Sequence, residues 1–318
     1  MAKTVTVVGA TGIQGGSVVR ALLENDSYIV RAITRNRHSD AAKTLSDQGM
    51  QVVEADLDDL ASLKAAFEGS HAIFATTNFF EPIPNVSVEQ AILLESQRGI
   101  NLAMAVAATP SVEHYIWSTL PNARRITNGR MGVPHYDAKN IVDDYIKSDP
   151  ELLRKTTFLM IAFYASNMHY PFYKPFPIPT FGGKKYIQIQ ASPASVPICL
   201  AGDARVNVGL FVRSILGQPH KTLPGKFVLG ATETMTAGEM LAAWASTKGI
   251  DVTYVEVDKQ TYYKMWPVWG GLMDESHVYW GMAKGKAFTA EEGVLTKDDL
   301  GVVGLVDTAT AYAAMDLQ

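Results

Sequence analysis

Three glycines near the N-terminus have the spacing of a phosphate-binding turn. Gly9, Gly12 and Gly15 follow the apolar segment 5–8 and precede a segment with helical apolar spacing. In the pattern G-x-x-G-x-x-G, the glycines allow a tight turn, a close approach of the backbone to a pyrophosphate, and close packing of the helix on the strand. The start of the helix offers free N–H groups to an anion. Unless the turn is purely structural, the pattern predicts a dinucleotide site that includes Gly9, Thr11, Gly12, Ile13, Gln14 and Gly15.

The residues after the second predicted strand indicate which dinucleotide is bound. An acid about 20 residues past the glycines binds the ribose hydroxyls of NAD, whereas an arginine there suits the 2′-phosphate of NADP. Here the strand ends near Thr34 and is followed by Arg35 and Arg37, with no acid before Asp40. We therefore expect NADP(H) as the cofactor and Arg35 as its phosphate contact. The alternative is that these arginines are solvated loop charges.

Three later strands end in residues suited to ligand binding. The third strand ends before an acidic turn, the fourth in small polar residues within 71–78, and the fifth in a serine. Since ligands of open α/β sheets bind at the carboxyl ends of the strands, we predict that the cofactor site includes Asp56, Leu57, Thr76, Thr77, Asn78 and Ser118. Asp56 is expected at the adenine ring, and a helix-capping role for this residue is the alternative.

A histidine and a lysine lie four residues apart at the start of another predicted helix. This helix begins at Pro134 and carries His135 and Lys139. Four residues are about one helical turn, so both side chains can face the same cleft. A histidine and a lysine on one helix face are common, so the pair gains meaning only from its surroundings.

The elements that would position these residues alternate between strand and helix. This alternation predicts an α/β fold with a Rossmann-type, doubly wound, mostly parallel sheet. An aromatic and proline-rich segment over residues 163–179 breaks the pattern. We therefore predict an NADP(H)-binding domain over residues 1–162, to which later segments return, and a smaller α+β C-terminal lobe mainly over residues 163–318.

Two further segments carry expectations about packing. A long helix predicted over residues 86–108 contains Gly99, which suggests close packing against a neighbour because glycine weakens a helix. In the second lobe, aromatic residues form either a segment that closes over a ligand or part of the core: Trp266, Trp269, Tyr279 and Trp280.

Composition bounds the class of protein. The 318 residues are 47% hydrophobic and 19% charged, with a formal net charge of −4. Such a chain can bury large elements, but it has no basic field to attract nucleic acid or a membrane surface. The single cysteine, Cys199, cannot form an internal disulfide, and nothing near it has metal-ligand spacing. We expect no metal, and a cytoplasmic protein whose access to the nucleus stays open.

By these residues the chain resembles the NmrA-like branch of the atypical short-chain dehydrogenases. That group includes nitrogen-repression regulators, an NADPH-sensing protein and many reductases. The resemblance covers most of the chain and rests on the glycine motif and on 34–36, 56–59, 115–119, His135-x-x-x-Lys139 and 163–167. It implies that Lys139, Tyr164 and Asn167 lie near the nicotinamide end of the cofactor.

One departure from ordinary short-chain dehydrogenases affects the expected chemistry. Those enzymes use Tyr-x-x-x-Lys, with the tyrosine as proton donor. Here His135 occupies the tyrosine position, and Tyr136 is offset by one residue. The NmrA-like group shares this substitution, and some of its members bind cofactor with no known turnover, whereas related phenylpropanoid reductases are thought to work from the lysine alone.

Two functions are therefore compatible with the sequence. In the first, the protein is an NADPH-dependent reductase of a small, largely apolar or aromatic carbonyl or enone, with Lys139 or His135 as proton donor. In the second, it is a non-catalytic NADP(H) sensor whose occupancy alters affinity for a protein partner such as a transcription factor. A closed apolar pocket beside the nicotinamide would favour the first. The substrate, the partner and the oligomeric state, monomer or homodimer, are not predicted.

Overall fold

The first half of the chain alternates strands and helices. The computed structural model describes residues 2–179, 184–290 and 293–316. The strands are β1 (Lys3–Val8), β2 (Tyr28–Thr34), β3 (Gln51–Glu54), β4 (Ala72–Ala75), β5 (His114–Thr119) and β6 (Thr156–Ile161). The helices are α1 (Ile13–Leu23), α2 (Asp40–Asp47), α3 (Leu60–Phe67), α4 (Val88–Ala107), α5 (Ala123–Ile126), α6 (Pro134–Ser148) and α7 (Pro150–Arg154).

The second half mixes short strands and helices. A short 3₁₀ helix spans Ala165–His169. The strands are β7 (Phe163–Tyr164), β8 (Phe176–Pro177), β9 (Lys185–Gln190), β10 (Pro197–Gly202), β11 (Phe227–Gly230), β12 (Glu233–Thr236) and β13 (Asp251–Glu256). The helices are α8 (Ala204–Gly217), α9 (Pro219–Thr222), α10 (Ala237–Lys248), α11 (Lys259–Met265), α12 (Trp269–Ala283) and α13 (Thr308–Ala313).

Among the described residues, seven strands form one central sheet. Their order is β11-β6-β5-β4-β1-β2-β3, and every neighbouring pair is parallel. The order reverses between β1 and β4, and ligands of doubly wound sheets bind at such a reversal. The predicted Rossmann-type, doubly wound sheet is confirmed.

Buried apolar residues cover both faces of the central sheet. Along β5, Tyr115 and Trp117 belong to one buried cluster and Ile116 to the other, as the two-residue period of a strand requires. The expected close packing at Gly99 is present, because a Cβ there would lie 2.5 Å from Val142 Cγ2 on α6. Helices α4 and α6 therefore approach each other closely, and both border the ligand edge of the sheet.

Two elements of the second half return to the first. Strand β11 pairs with β6 at the edge of the central sheet, and α8 packs on α1. At that helix contact, a Cβ on Gly209 would lie 2.2 Å from the Ser17 carbonyl oxygen. The Ser17 hydroxyl donates to the Val206 carbonyl at 2.9 Å and accepts the Gly209 N–H at 2.8 Å. These contacts fix the helix that follows the glycine turn.

The remaining strands of the second half form two small sheets. One has the order β12-β10-β7 and the other β13-β9-β8, and both mix parallel with antiparallel pairs. Thr236 and Glu239 form a capping box at the start of α10. Together with α10 to α12 these sheets form the smaller α+β part of the fold. In the part of the chain that the structure describes, no helix has the length and apolarity to cross a bilayer.

Candidate functional site

The glycine turn between β1 and α1 has three distinct geometric demands. Gly9 has φ +74°, a conformation that favours glycine. A Cβ on Gly15 would lie 2.2 Å from the Gly9 carbonyl oxygen, so α1 can pack on the turn only without a side chain there. A Cβ on Gly12 would lie 3.3 Å from the same oxygen, a tight contact but a much milder one than at Gly15. The fold therefore disfavours a side chain less at Gly12 than at Gly9 or Gly15.

Helix α1 begins without a capping side chain. Helices α2, α3 and α4 are capped by Ser39, Asp59 and Ser87, respectively. At α1 the cap position is Gly12, and among the described residues no side chain accepts from its first N–H groups and no acid lies in its first turn. Uncapped N–H groups at the positive end of a helix dipole suit an anion such as a phosphate.

Gln14 connects three elements at the carboxyl edge of the central sheet. Its Nε2 donates to the Tyr164 hydroxyl at 2.6 Å, and its Oε1 accepts from the Ser118 hydroxyl at 2.7 Å. Burial raises the pKa of Tyr164 to about 12, so the phenol stays protonated at neutral pH. The first turn of α1, the end of β5 and β7 therefore meet at one place, which brings together Gln14, Ser118 and Tyr164.

Arg35 lies just beyond the carboxyl end of β2. Its guanidinium is 3.0 Å from Glu81, and its side chain is 67% exposed. Nearby, Arg98 on α4 donates two hydrogen bonds to Asp58, which lower the pKa of that carboxyl group. Arg35 is therefore accessible to a phosphate, although an acidic side chain already contacts it.

The acidic turn after β3 uses its carboxylates locally. Asp56 is exposed and accepts the Asp58 N–H at 2.9 Å, while Asp59 caps α3. The Leu57 carbonyl accepts from Asn101 Nδ2 at 2.8 Å, which ties the turn to α4. Asp56 therefore has a turn-forming role and also lies at the ligand edge.

The Lys139 ammonium group lies near the carboxyl end of β4. It donates to Thr77 Oγ1 at 3.0 Å and to the Thr77 carbonyl at 3.3 Å. It is also 3.2 Å from Glu95 Oε1 on α4, and the two side chains are 9% and 1% exposed. Thr77 Oγ1 in turn donates to Glu95 Oε1 at 2.7 Å. Lys139, Thr77 and Glu95 thus form a buried cluster that fixes a positive charge at the ligand edge.

A second buried acid lies one helical turn after Lys139. Asp143 accepts from Trp117 Nε1 at 2.9 Å and from Thr119 Oγ1 at 2.8 Å. Burial raises the pKa of Asp143 to about 6. The Trp117 ring lies under the Lys139 ammonium at 5.1 Å from the ring centroid. The Asp143 hydrogen bonds therefore orient the ring that supports the lysine.

His135 lies among aromatic rings. Burial lowers its pKa to about 3, and the charge of Lys139 acts in the same direction, so the imidazole is neutral at physiological pH. The centroid of its ring is 5.0 Å from that of Phe80. The Phe80 centroid is 6.0 Å from that of Trp269, and Trp269 is stacked on Phe172 with a centroid distance of 5.8 Å. Tyr170 stacks on Phe172 at 5.4 Å. We call these five rings, from His135 to Tyr170, the aromatic row.

Tyr136 packs against Tyr279 and Trp280 of α12. It is buried, and its hydroxyl accepts from Trp280 Nε1 at 3.1 Å. Tyr279 is also buried, so Tyr279 and Trp280 belong to the core, whereas Trp266 and Trp269 are partly exposed. The segment from α11 to α12 thus contributes both to the core and, through Trp269, to the aromatic row.

The other residues predicted from the sequence have fewer interactions. Thr76 packs against the glycine turn, because its Cγ2 lies 3.2 Å from where a Gly9 Cβ would stand. Asn78 accepts the Phe80 N–H at 3.1 Å. Thr11 is exposed, and Ile13 and Asn167 are partly buried.

Sequence reasoning missed Glu95 and Phe80. Glu95 lies at helical spacing from the buried residues Ala91, Gly99 and Leu102. A charged residue in the apolar stripe of a helix was therefore a signal that could have identified Glu95. Phe80 had no such signal, because its contact with His135 depends on the path of the loop after β4.

A cavity of about 600 Å³ lies elsewhere in the second half. The segment 191–197 and α12 line it, and its polar residues include Ser192, Asp274 and His277. None of its lining residues belongs to the predicted cofactor-binding set. Across the described ranges, no cluster of three or more His, Cys, Asp and Glu side chains could hold a metal ion.

Comparison with known proteins finds one family and several relatives. The model of the NmrA-like family matches residues 1–306. An NmrA-like family domain-containing oxidoreductase of Aspergillus hancockii is 29% identical over 266 residues, which are 78% of this chain and 73% of the relative. An NmrA-like family domain-containing protein of Dictyostelium discoideum is 30% identical over 278 residues, which are 86% of each chain.

Solved structures of low sequence identity share the fold. NmrA, a negative transcriptional regulator in complex with NADP, matches with a TM-score of 0.75 at 21% identity, over 99% of this chain and 95% of the regulator. The NADPH-dependent quinone oxidoreductase of Escherichia coli, complexed with NADPH, matches with a TM-score of 0.68 at 18% identity, over 97% of this chain and 98% of the enzyme.

Proposed function

This chain belongs to the NmrA-like family, and from that premise we propose that it is an NADPH-dependent reductase of a small, largely apolar or aromatic carbonyl or enone. The single observation that carries the proposal is the buried Lys139 cluster beside the aromatic row. It combines a positioned proton donor with flat apolar surface at the ligand edge of the central sheet. A curated relative is named an oxidoreductase, which supports this choice.

The residues present fit NADP(H). The uncapped start of α1 and the space beside Gly12 suit the pyrophosphate. We assign Arg35 to the 2′-phosphate, which is supported by its exposure and by the absence of an acid at the end of β2 that would favour NAD. Two structures of the same fold, a regulator and a reductase, are complexes with NADP and NADPH. Bound there, NADPH supplies a hydride.

Lys139 is the better candidate for the proton donor. An ammonium group carries a proton that it can give to a developing oxyanion and recover from water. His135 is neutral, because burial lowers its pKa to about 3, and a neutral imidazole is a poor acid. We therefore assign His135 to the substrate wall together with Phe80 and Trp269. Tyr164, Asn167, Ser118 and Thr77 are assigned to the nicotinamide end.

A second function, an NADP(H) sensor, is favoured by a specific observation. The tyrosine offset by one position, Tyr136, is buried and bonded to Trp280, so it cannot replace the missing proton donor. The N–H groups of Lys139 are directed to Thr77 and Glu95. In a sensor, cofactor occupancy would change affinity for a regulatory protein partner without turnover.

The test is NADPH oxidation against a panel of aromatic and aliphatic carbonyls and enones. We expect turnover with at least one compound, and Lys139→Met should lower it by roughly 10²-fold or more, the usual contribution of a positioned acid. Lys64→Met, a change at an exposed position of α3, is the matched control and should keep full activity. A wild-type protein that binds NADPH tightly but oxidises it with no compound would replace the reductase with the sensor.

A further inference from the structure

Glu95 is a buried carboxylate that uses only one of its two oxygens for polar contacts with the described residues. Its Oε1 accepts from Thr77 Oγ1 at 2.7 Å and lies 3.2 Å from the Lys139 ammonium. Its Oε2 is buried and, among the described residues, has no hydrogen-bond partner. The residue is 2% exposed in the middle of α4. All the polar contacts of this acid are therefore directed to Lys139 and Thr77.

Such an arrangement is costly as a device for stability alone. Burying two charges costs several kcal/mol per ion, and a buried pair is often no more stable than apolar residues of the same volume. The orphan Oε2 adds a further cost, because a buried acceptor without a partner loses its hydration. An apolar residue at position 95 would continue the stripe formed by Ala91, Gly99 and Leu102.

Other charged groups around Lys139 are engaged elsewhere. On its own helix, His135 is neutral, since burial lowers its pKa to about 3, and Asp143 is bonded to Trp117 and Thr119. Lys147 lies over the rings of Phe158 and Phe227. On α4, Arg98 is paired with Asp58. In the described part of the chain, Glu95 is the carboxylate in contact with the Lys139 ammonium.

We propose that Glu95 is a positioning residue for Lys139. It holds the ammonium group at the carboxyl end of β4, so that NADP(H) and substrate meet a positive charge at a fixed place. This inference deepens the proposed function and rests on it. A positioned charge needs a supporting contact that locks its side chain, and Glu95 with Thr77 supplies that contact.

The decisive change is Glu95→Gln, which keeps the shape and removes the charge. If Glu95 positions Lys139, the Kd for NADPH, measured by fluorescence titration, should rise by about tenfold, the usual scale of a coupling of this kind. Glu89→Gln, the same change at an exposed position in the first turn of α4, is the control and should leave the Kd unchanged. A folded Glu95→Gln protein with the wild-type Kd would overturn the inference.

A double variant separates positioning from a purely structural role. If Glu95 acts only through Lys139, Glu95→Gln should not change the Kd further in a Lys139→Met background. An additional loss in that background would overturn the inference, because Glu95 would then act independently of the lysine. If Glu95→Gln alone does not fold, the double variant can still be compared with Lys139→Met, because removing both charges leaves neither one buried without its partner.

The outcomes distinguish the inference from the proposed function. A wild-type protein that does not bind NADPH would overturn both. A wild-type protein that binds and oxidises NADPH, together with a Glu95→Gln variant of equal affinity, would overturn the role of Glu95 alone. Unfolding midpoints of the same variants should show the double variant more stable than either single variant, as expected when both members of a buried pair are removed.

Discussion

At the scale of single residues, the burial of Lys139 depends on groups far apart in the sequence. Moving an ammonium group out of water costs several kcal/mol unless other groups replace its hydration. Here Thr77 supplies two acceptor oxygens, Glu95 supplies the opposite charge, and Trp117 presents the face of its ring. The consequence is a charge whose position is set by three separate elements of the first half.

Arg35 carries a prediction about cofactor choice. The protein should bind NADPH more tightly than NADH, and Arg35→Ala should remove most of that difference. One charge-assisted hydrogen bond to the 2′-phosphate is worth about 1.5 to 3 kcal/mol, and NADH has no such phosphate. Titration of both cofactors against wild-type and variant protein measures the effect.

Arg37→Ala is the matched control for this experiment. Arg37 is also exposed and lies two residues further along the same loop. It should retain the preference for NADPH, since only Arg35 is assigned to the phosphate. Equal affinities for the two cofactors in the wild-type protein would refute the assignment.

At the scale of elements, the glycine turn contains one glycine that the packing of α1 requires, Gly15, and another, Gly12, that we assign to cofactor binding. A Cβ at position 15 would lie 2.2 Å from the Gly9 carbonyl oxygen and would collide with it, whereas a Cβ at position 12 would lie 3.3 Å from the same oxygen. Gly12→Val should therefore disturb the fold less than a change at Gly15 and should abolish NADPH binding, because the branched side chain fills the space for the pyrophosphate. Circular dichroism and cofactor titration measure the two effects.

Gly15→Ala provides the contrast. Its added methyl group collides with backbone, so this smaller change should lower the unfolding midpoint more than Gly12→Val does. A Gly12→Val protein that is folded and binds NADPH normally would show that the turn has a structural role only.

Local patterns account for most of the strands and helices, and for the cofactor edge. Strand β2 was predicted to end near Thr34 and does so, because its apolar residues continue to Ile33 and polar residues follow. Helix α4 was predicted from residue 86 and begins at Val88, since the capping box of Ser87 and Gln90 sets its start. The strand predicted over 71–78 ends at Ala75, because the polar residues after it leave the sheet.

Contacts between distant segments could not be read from the sequence. The return of β11 to the sheet depends on β6, about 70 residues earlier, and no local pattern specifies that pairing. The same holds for Glu95, whose partner is on another helix, and for the contact between Phe80 and His135. The roles of single site residues remain predictions that the variants above test.

At the scale of the whole molecule, buried ionisable groups couple the fold to pH. Burial lowers the pKa of His114 and of His277 from about 6.5 to about 4, and that of His135 to about 3. Between these values the unfolded chain binds more protons than the folded one, so stability falls as the pH decreases from about 6.5 towards 4. Asp143 acts in the opposite direction, because burial raises its pKa to about 6 and the folded protein takes up the proton first.

The last prediction follows from the balance of these groups. Between pH 7 and pH 5, each of the three histidines should lower the stability by up to about 2 kcal/mol, and Asp143 should raise it by about 1 kcal/mol. The free energy of unfolding, measured with urea, should thus be about 5 kcal/mol lower at pH 5. In His277→Asn the side-chain amide can replace Nδ1 opposite Ser192, and this change should reduce the loss by about two-fifths. His220→Asn, at an exposed position, should not reduce it. A free energy of unfolding that is the same at both pH values would mean that these imidazoles are not held neutral by the fold.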